Sequence, residues 1–300
     1  MDNIAQVLRI LPERIKVEVS DVIKRNGLAY SKLTEIHLRI NQSVIIKYEY
    51  GKEYIIGNIH ITSEDINYCL QMITKYSIYA YQDSIRMGFV TVKGGHRVGV
   101  MGQAIVENGT ISGQKNITFV NIRVAHQVLG CAKNVIPFIC SGSVHNTLII
   151  SPPNCGKTTL LRDIIRNISN GIDCIPRKVA LIDERSEIAA SFEGVPQNDV
   201  GQRTDVLDLA PKSQGMILAL RAMSPEVIAI DELGGVQDID AVKQVIHCGC
   251  KVIATIHGYD LQDCCNRKEL KEMIGHHGFT KVIILSGKKG VGTIESMVNT

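Results

Sequence analysis

The 300-residue chain has no tryptophan and only five phenylalanines, and aromatic residues make up 5% of it. Proteins that hold single strands of nucleic acid stack bases on aromatic rings, so that class begins with little support. A formal net charge of +3 is too small to predict a basic face that tracks a polyanion. No stretch approaches the roughly 20 consecutive apolar residues of a membrane-spanning helix. The opening "MDNIAQVLRILPERIKVEV" alternates charged and apolar residues. It shows neither the unbroken apolar core nor the small-residue cleavage site of a secretory signal, so a soluble protein is expected. The nine cysteines, an odd number, are scattered rather than set in a framework, which favours a reducing, cytoplasmic compartment. Cys248, Cys250, Cys264 and Cys265, with His247, His276 and His277 nearby, lack the paired C-x-x-C spacing of a zinc site. Buried thiols are expected there instead.

What is present is enough apolar material, 45% of the residues, for one large domain or two ordinary ones. Ile4, Val7, Leu8, Leu11, Ile15 and Val22 recur at mostly helical spacing, with a break near Pro12. "EIHLRINQSVIIKYEYGKEYII", residues 35–56, alternates and is rich in β-branched residues, which predicts strands turning at Asn41 and Gly51. Thr62-Ser63-Glu64-Asp65 has the form of a helix start: an oxygen-bearing cap followed three residues later by an acid. From Gly88 the alternation returns, with hairpin turns at Gly94-Gly95 and Asn108-Gly109, and runs on to residue 126. Residues 1–130 are therefore expected to form an α+β domain with an antiparallel sheet. Gly130, Pro137 and Ser141-Gly142-Ser143 mark residues 131–144 as a linker.

Residues 145–300 have a different grammar. Apolar runs at 147–150, 178–182, 227–230, 251–256 and 281–285 alternate with helical stretches, which predicts an α/β domain with a mostly parallel sheet covered on both faces. Residues 184–215, between the second and third runs, make a connection so long that a functional role is expected.

"LIISPPNCGKTT", residues 148–159, reads as a strand, a turn and a helix start. Ser151, Pro152, Pro153, Asn154, Cys155, Gly156, Lys157, Thr158 and Thr159 have the ending of the phosphate-loop pattern G-x-x-x-x-G-K-[ST], with Ser151 where the first glycine is expected. Gly156, the position that phosphate approaches most closely, is present, so the loop is read as competent for ATP. Lys157 is the point charge for the β and γ phosphates, and the Thr158 hydroxyl is a ligand for Mg2+. A second element supports the first. "PEVIAIDELGG", residues 225–235, is an apolar strand ending in two acids, with Asp231 placed to hold Mg2+ and Glu232 to orient or deprotonate the attacking water.

Four strings in order resemble the secretion ATPase superfamily, the hexameric motors of type II and type IV secretion and pilus systems. They are the phosphate loop, "IDERSE" at 182–187, "LRAMSPEVIAIDELG" at 220–234 and "ATIHG" at 254–258. Leu233-Gly234-Gly235 stand where the family's motors usually carry an arginine and an aspartate, which marks a divergent branch. "GVPQNDVGQRTDVLD", "SPEVIAIDELGG" and "EIHLRI" resemble a sporulation-associated branch of endospore-forming bacteria. The resemblance implies a RecA-like phosphate-loop ATPase domain preceded by a smaller α+β domain, assembled as a homo-oligomeric ring, a hexamer. It also implies a cytoplasmic ATPase of the mother cell, docked on membrane proteins of a channel complex facing the forespore.

His257, at the end of the 251–256 strand, is expected to sense the γ phosphate or Glu232, and Glu184, at the end of the 178–183 strand, to share in polarising water. Charge developing on the γ phosphate calls for an arginine. Arg97 and Arg123 are the candidates, since sheet arginines of the first domain close over the nucleotide in the resembled family; Arg203 and Arg221 come next. The rival readings are a RecA-like nucleic-acid motor, disfavoured by composition, and a nucleotide-gated scaffold with little turnover.

Overall fold

Pro12 separates α1 (Asn3–Leu8) from α2 (Glu13–Arg25), because its ring cannot donate into a continuing helix. The computed structural model describes residues 3–275 and 278–300, so His276 and His277 lie outside the described residues. Ile15, Val19 and Ile23, one turn apart on α2, are buried. Strands β1 (Leu33–Arg39), β2 (Ser43–Tyr48) and β3 (Glu53–His60) follow, then α3 (Ser63–Ile73) and α4 (Gln82–Arg86). β4 (Phe89–Val92), β5 (His96–Glu107) and β6 (Thr110–Arg123) complete this half. The turns fall where the sequence puts them, with Asn41, Gly51, Asn108 and Gly109 all at positive φ. Thr62 and Asp65 cap each other at the start of α3.

The six strands lie in the order β3-β2-β1-β6-β5-β4, each antiparallel to its neighbours. Ile36, Leu38, Ile46, Val98 and Ile122 turn one face of this sheet into a core shared with Val19 and Ile66 of the helices. Lys47, Glu35, Arg123 and Arg97 are successive cross-strand partners on β2, β1, β6 and β5.

The chain divides into two compact units, Met1–His126 and Gln127–Thr300. The stretch expected as a linker therefore belongs to the second unit. It forms α5 (Ile136–Ile139), and Ala132, Val135, Ile136, Ile139 and Val144 are buried in that unit's core. Its glycines, proline and serines do punctuate turns, but the apolar residues between them outweigh that signal by finding a surface to cover.

The second unit continues with β7 (Thr147–Ser151), α6 (Lys157–Asn170), β8 (Val179–Asp183), β9 (Thr204–Asp208), α7 (Lys212–Met223), β10 (Val227–Ile230) and α8 (Val236–His247). β11 (Lys251–His257), α9 (Leu261–Cys265), α10 (Lys268–Met273), β12 (Lys281–Ser286) and β13 (Thr293–Asn299) end it. The sheet order is β13-β12-β7-β11-β10-β8-β9, parallel throughout except for β13. Alternate residues of the strands serve two cores: Ile149, Leu181, Ala229 and Ile253 pack with Leu161, Ile164 and Ile168 of α6, while Ile150, Ile182, Ile228 and Ile230 pack with Met216 of α7 and Val242 of α8. The long connection is not structureless, because β9 lies inside it and extends the sheet beside β8.

Burial pushes the Cys250 and Cys264 thiols up to about 11, so both remain protonated, whereas Cys248 is exposed. Among the described residues no helix is long and apolar enough to cross a membrane.

Candidate active site

β7, β8, β10 and β11 run parallel in register, which brings their carboxyl ends to one edge of the second sheet, where open α/β sheets hold their ligands. His257 is opposite Ser151, and Ile230 is opposite both Ile182 and Ala254, so Asp183, Asp231 and Thr255 follow side by side.

Ser151, fully buried at the end of β7, donates its hydroxyl to the Pro152 carbonyl at 2.9 Å. The turn thus closes with serine in the first-glycine position. Glycine is required at 156: φ is +88° there, and an added Cβ would stand 3.1 Å from Val291 Cγ1 and 3.3 Å from Gly292 N. Pro152, Pro153, Asn154 and Cys155 lead to that glycine, with Asn154 also at positive φ and the Gly292 N–H donating to the Cys155 carbonyl at 3.1 Å. α6 then begins at Lys157, so the first-turn amides of Thr158 and Thr159 and the positive end of the helix dipole face the turn, an arrangement that favours an anion.

Lys157, 12% exposed in its side chain, sets its Nζ 3.4 Å from His257 Nε2 and 3.9 Å from Glu232 Oε2. Thr158 Oγ1 donates to Asp231 Oδ2 at 3.0 Å. Thr255, fully buried on β11, donates to Asp231 Oδ1 at 2.5 Å and accepts the Glu232 N–H at 2.8 Å. Glu232 has φ +58°, a left-handed conformation that costs a non-glycine residue about 1–3 kcal/mol. Thr255 holds it there, since its carbonyl also accepts the Leu233 N–H at 2.8 Å. His257 Nε2 is 2.9 Å from Glu232 Oε1, and His257 Nδ1 is buried with no hydrogen-bond partner among the described residues.

Glu184 lines the same cleft of about 340 Å³, together with Arg185, Lys212, Glu232, His257 and Arg267, and its carboxylate pairs closely with Lys212. Asp183 is buried beneath. Burial pushes its carboxyl up to about 6, against the pull of the Glu187, Ile188 and Ala189 N–H groups, which donate to it at 2.8 to 3.0 Å. Arg162 of α6, buried and with its pKa lowered by that burial, donates to the carbonyls of Glu187 and Ile188 at 2.6 Å each. The phosphate-loop helix and the acidic box, residues 182–187, are thereby fastened to one another.

The loop from Ser151 to Thr159, Glu184, Asp231, Glu232 and His257, all expected from the sequence, meet at this edge. The reserve arginines do not: Arg203 precedes β9 and donates to the Ser169 carbonyl at 3.0 Å, and Arg221 lies on α7 beside a different cleft. Arg97 and Arg123 belong to the first unit, as register partners on β5 and β6. The Arg97 guanidinium lies 3.5 Å over the Phe89 ring, and Arg123 Nε is 3.8 Å from Glu35 Oε1. Sequence reasoning missed Thr255, Asp183, Arg162, Arg185 and Lys212. Asp183, Arg185 and Thr255 stand inside strings quoted above from the sequence, whereas a lone arginine on an amphipathic helix, such as Arg162, carries no signal.

The Thr158 hydroxyl and Asp231 carboxylate, 3.0 Å apart beside the first turn of α6, are the hard oxygen donors that Mg2+ takes, so the residues fit that ion. The mostly parallel sheet, its phosphate loop and the acids at the end of β10 define the phosphate-loop ATPase fold of secretion motors. The same fold is seen in the Legionella pneumophila ATPase DotB, with a TM-score of 0.59 at 17% identity over 92% of this chain and 76% of that one. The pilus retraction motor PilT, solved with bound ADP, gives 0.58 at 16% identity over 89% of this chain and 76% of that one. Residues 1–300 match the family described as Sporulation stage III, protein AA, and the chain belongs to it. It is 39% identical to Stage III sporulation protein AA of Bacillus subtilis (strain 168) over 97% of this chain and 94% of that protein.

Proposed function

We propose that this chain is the ATP-hydrolysing motor subunit of a secretion-like membrane complex built during sporulation. The observation that carries the reading is Glu232, whose carboxylate lies 2.9 Å from His257 and 3.9 Å from Lys157, beside the joined Thr158 and Asp231. In this reading the loop from Ser151 to Thr159 wraps the phosphates and Lys157 neutralises the β and γ oxygens. Thr158 and Asp231 would hold Mg2+, which would supply neutralisation of phosphate charge. Glu232 takes the proton of the attacking water. His257, bonded to Glu232 on one nitrogen, links that event to β11, and Glu184 orients water from the other side of the cleft. Arg97 and Arg123 are the arginines that this reading assigns to the charge developing on the γ phosphate.

The reading extends to a homo-oligomeric ring, a hexamer, in the mother-cell cytoplasm, docked on membrane proteins of a channel complex and driving its assembly or transport. Secretion ATPases of the same fold support that step, as does membership of a sporulation family. Phosphate release by the purified chain with Mg2+ and ATP, compared with Lys157→Ala at concentrations that permit oligomerisation, tests it. Equal rates in the two proteins would overturn the reading.

A further inference from the structure

We infer that Arg185 is a γ-phosphate arginine supplied from within the second unit. This rests on the phosphate-site reading above and adds a residue that the reading does not use. Arg185 follows Glu184 in the loop after β8, and its side chain is 60% exposed, while the main chain two to four residues further on is held by Asp183 and Arg162. Asp183 gathers the N–H groups of Glu187, Ile188 and Ala189, and Arg162 takes the carbonyls of Glu187 and Ile188. A cation on such a platform is aimed before any ligand arrives, which is what electrostatic stabilisation of a transition state requires.

Its aim is toward the candidate base. Arg185 Nη1 is 3.6 Å from Glu232 Oε2, and Lys157 Nζ is 3.9 Å from that same oxygen. Two cations from different elements, one on the phosphate loop and one on the acidic box, therefore converge on one anionic oxygen. The other cations of the cleft have different engagements: Lys212 pairs with Glu184, and Arg267 donates to the His257 carbonyl at 3.2 Å. Arg185 is shared loosely between two carboxylates, Glu232 and Glu187, at 3.6 Å each. That is beyond hydrogen-bond length, so the guanidinium is exchangeable.

A γ phosphate that engages Lys157 enters the reach of Arg185, whose planar fork matches two phosphate oxygens. Exchange of the Glu232 carboxylate for phosphate oxygens moves Arg185 onto the charge that grows during transfer. It also releases Glu232 to accept a proton. With ADP the terminal phosphate is missing, and Arg185 remains on Glu232. Arg185 thus distinguishes triphosphate from diphosphate.

The test uses the full chain with Mg2+ and fluorescent ADP or a fluorescent non-hydrolysable ATP analogue. Arg185→Ala and Arg185→Gln should weaken the analogue by about tenfold and leave ADP within about twofold, while turnover falls by about 100-fold or more, toward the range set by arginines in related chemistry. Arg185→Lys should recover much of the analogue affinity, because the charge is kept, but little of the turnover, because the fork is lost. An unchanged ratio of analogue to ADP affinity in Arg185→Ala would overturn the assignment. So would a parallel loss of both affinities, which would indicate a structural role. If the wild-type chain bound neither nucleotide better than Lys157→Ala, the phosphate-site reading itself would fall, an outcome distinct from both.

Discussion

His257 Nε2 and Glu232 Oε1 lie 2.9 Å apart, joining the end of β11 to the acid that follows β10. If Glu232 is the base, Glu232→Gln keeps the size and hydrogen bonding of the side chain but cannot take a proton. Turnover should fall by about 100-fold or more, within the usual range for general-base removal. Nucleotide affinity, measured by fluorescent-nucleotide titration, should stay within a few-fold. Full turnover in this variant would move the base elsewhere, with Glu184 the next carboxylate in the cleft.

Thr255 is fully buried and serves Asp231 and Glu232 at once. Thr255→Val preserves the shape and removes the hydroxyl, leaving the Glu232 N–H and an Asp231 oxygen without their partner. The expected cost is about 2 kcal/mol of stability from unmade buried hydrogen bonds. A shift to higher Mg2+ concentration for half-maximal turnover should accompany it. Thr255→Ser should restore both. A denaturation midpoint for Thr255→Val equal to wild type would show that the two bonds do not matter.

Much of this edge was legible because its strands are buried on both faces and therefore read as continuous apolar runs. β7, β8, β10, β11 and β12 all fall on runs seen in the sequence. β9 escaped because it lies at the sheet edge and alternates poorly: only Val206 and Leu207 among Thr204–Asp208 are apolar, and both are half-buried. The phosphate loop was legible despite Ser151, since the close approach falls at Gly156. The ties that position the acidic box were not. Arg162 bonds to carbonyls, which have no residue identity, and Asp183 binds amides of the same kind. Main-chain partners leave no trace in a sequence.

Asp183 sets a pH dependence of definite sign. Its folded pKa of about 6 lies above the ordinary 3.8, so between those values the native protein binds more protons than the unfolded chain. The stability contributed by this group is therefore fully present below about pH 4 and is lost as pH rises through 6. At about 1.4 kcal/mol for each pH unit the difference is about 3 kcal/mol. The side-chain amide introduced by Asp183→Asn does not titrate. The stability of wild type minus that of Asp183→Asn, from denaturation at a series of pH values, should fall by that amount between about pH 4 and 7 and be level above it. A flat difference across the range would contradict the burial argument.

The last prediction concerns Arg97 and Arg123, which are cross-strand partners in the first unit, in one row with Glu35 and Lys47. Phe89 beneath Arg97 and Glu35 beside Arg123 orient two guanidinium groups on adjacent strands. Such an array suits an anion brought to the sheet, and arginine toward a γ phosphate is worth about 10³ to 10⁵ in turnover in phosphate-loop enzymes. A surface ion pair contributes at most about 1 kcal/mol, so the two explanations differ in size. Arg97→Ala and Arg123→Ala should each lower turnover by about tenfold or more while ATP affinity stays within a few-fold, because the proposed reading gives the β-phosphate contacts to the loop at Lys157. Lys47→Ala, in the same row but paired with Glu53 at 2.8 Å, is the control and should retain wild-type turnover. If the arginines act across a subunit boundary, mixing an arginine variant with Lys157→Ala should restore part of the activity, since some interfaces then combine an intact loop with an intact arginine. Wild-type turnover in both arginine variants would leave Arg185 as the γ-phosphate arginine and remove the first unit from the chemistry.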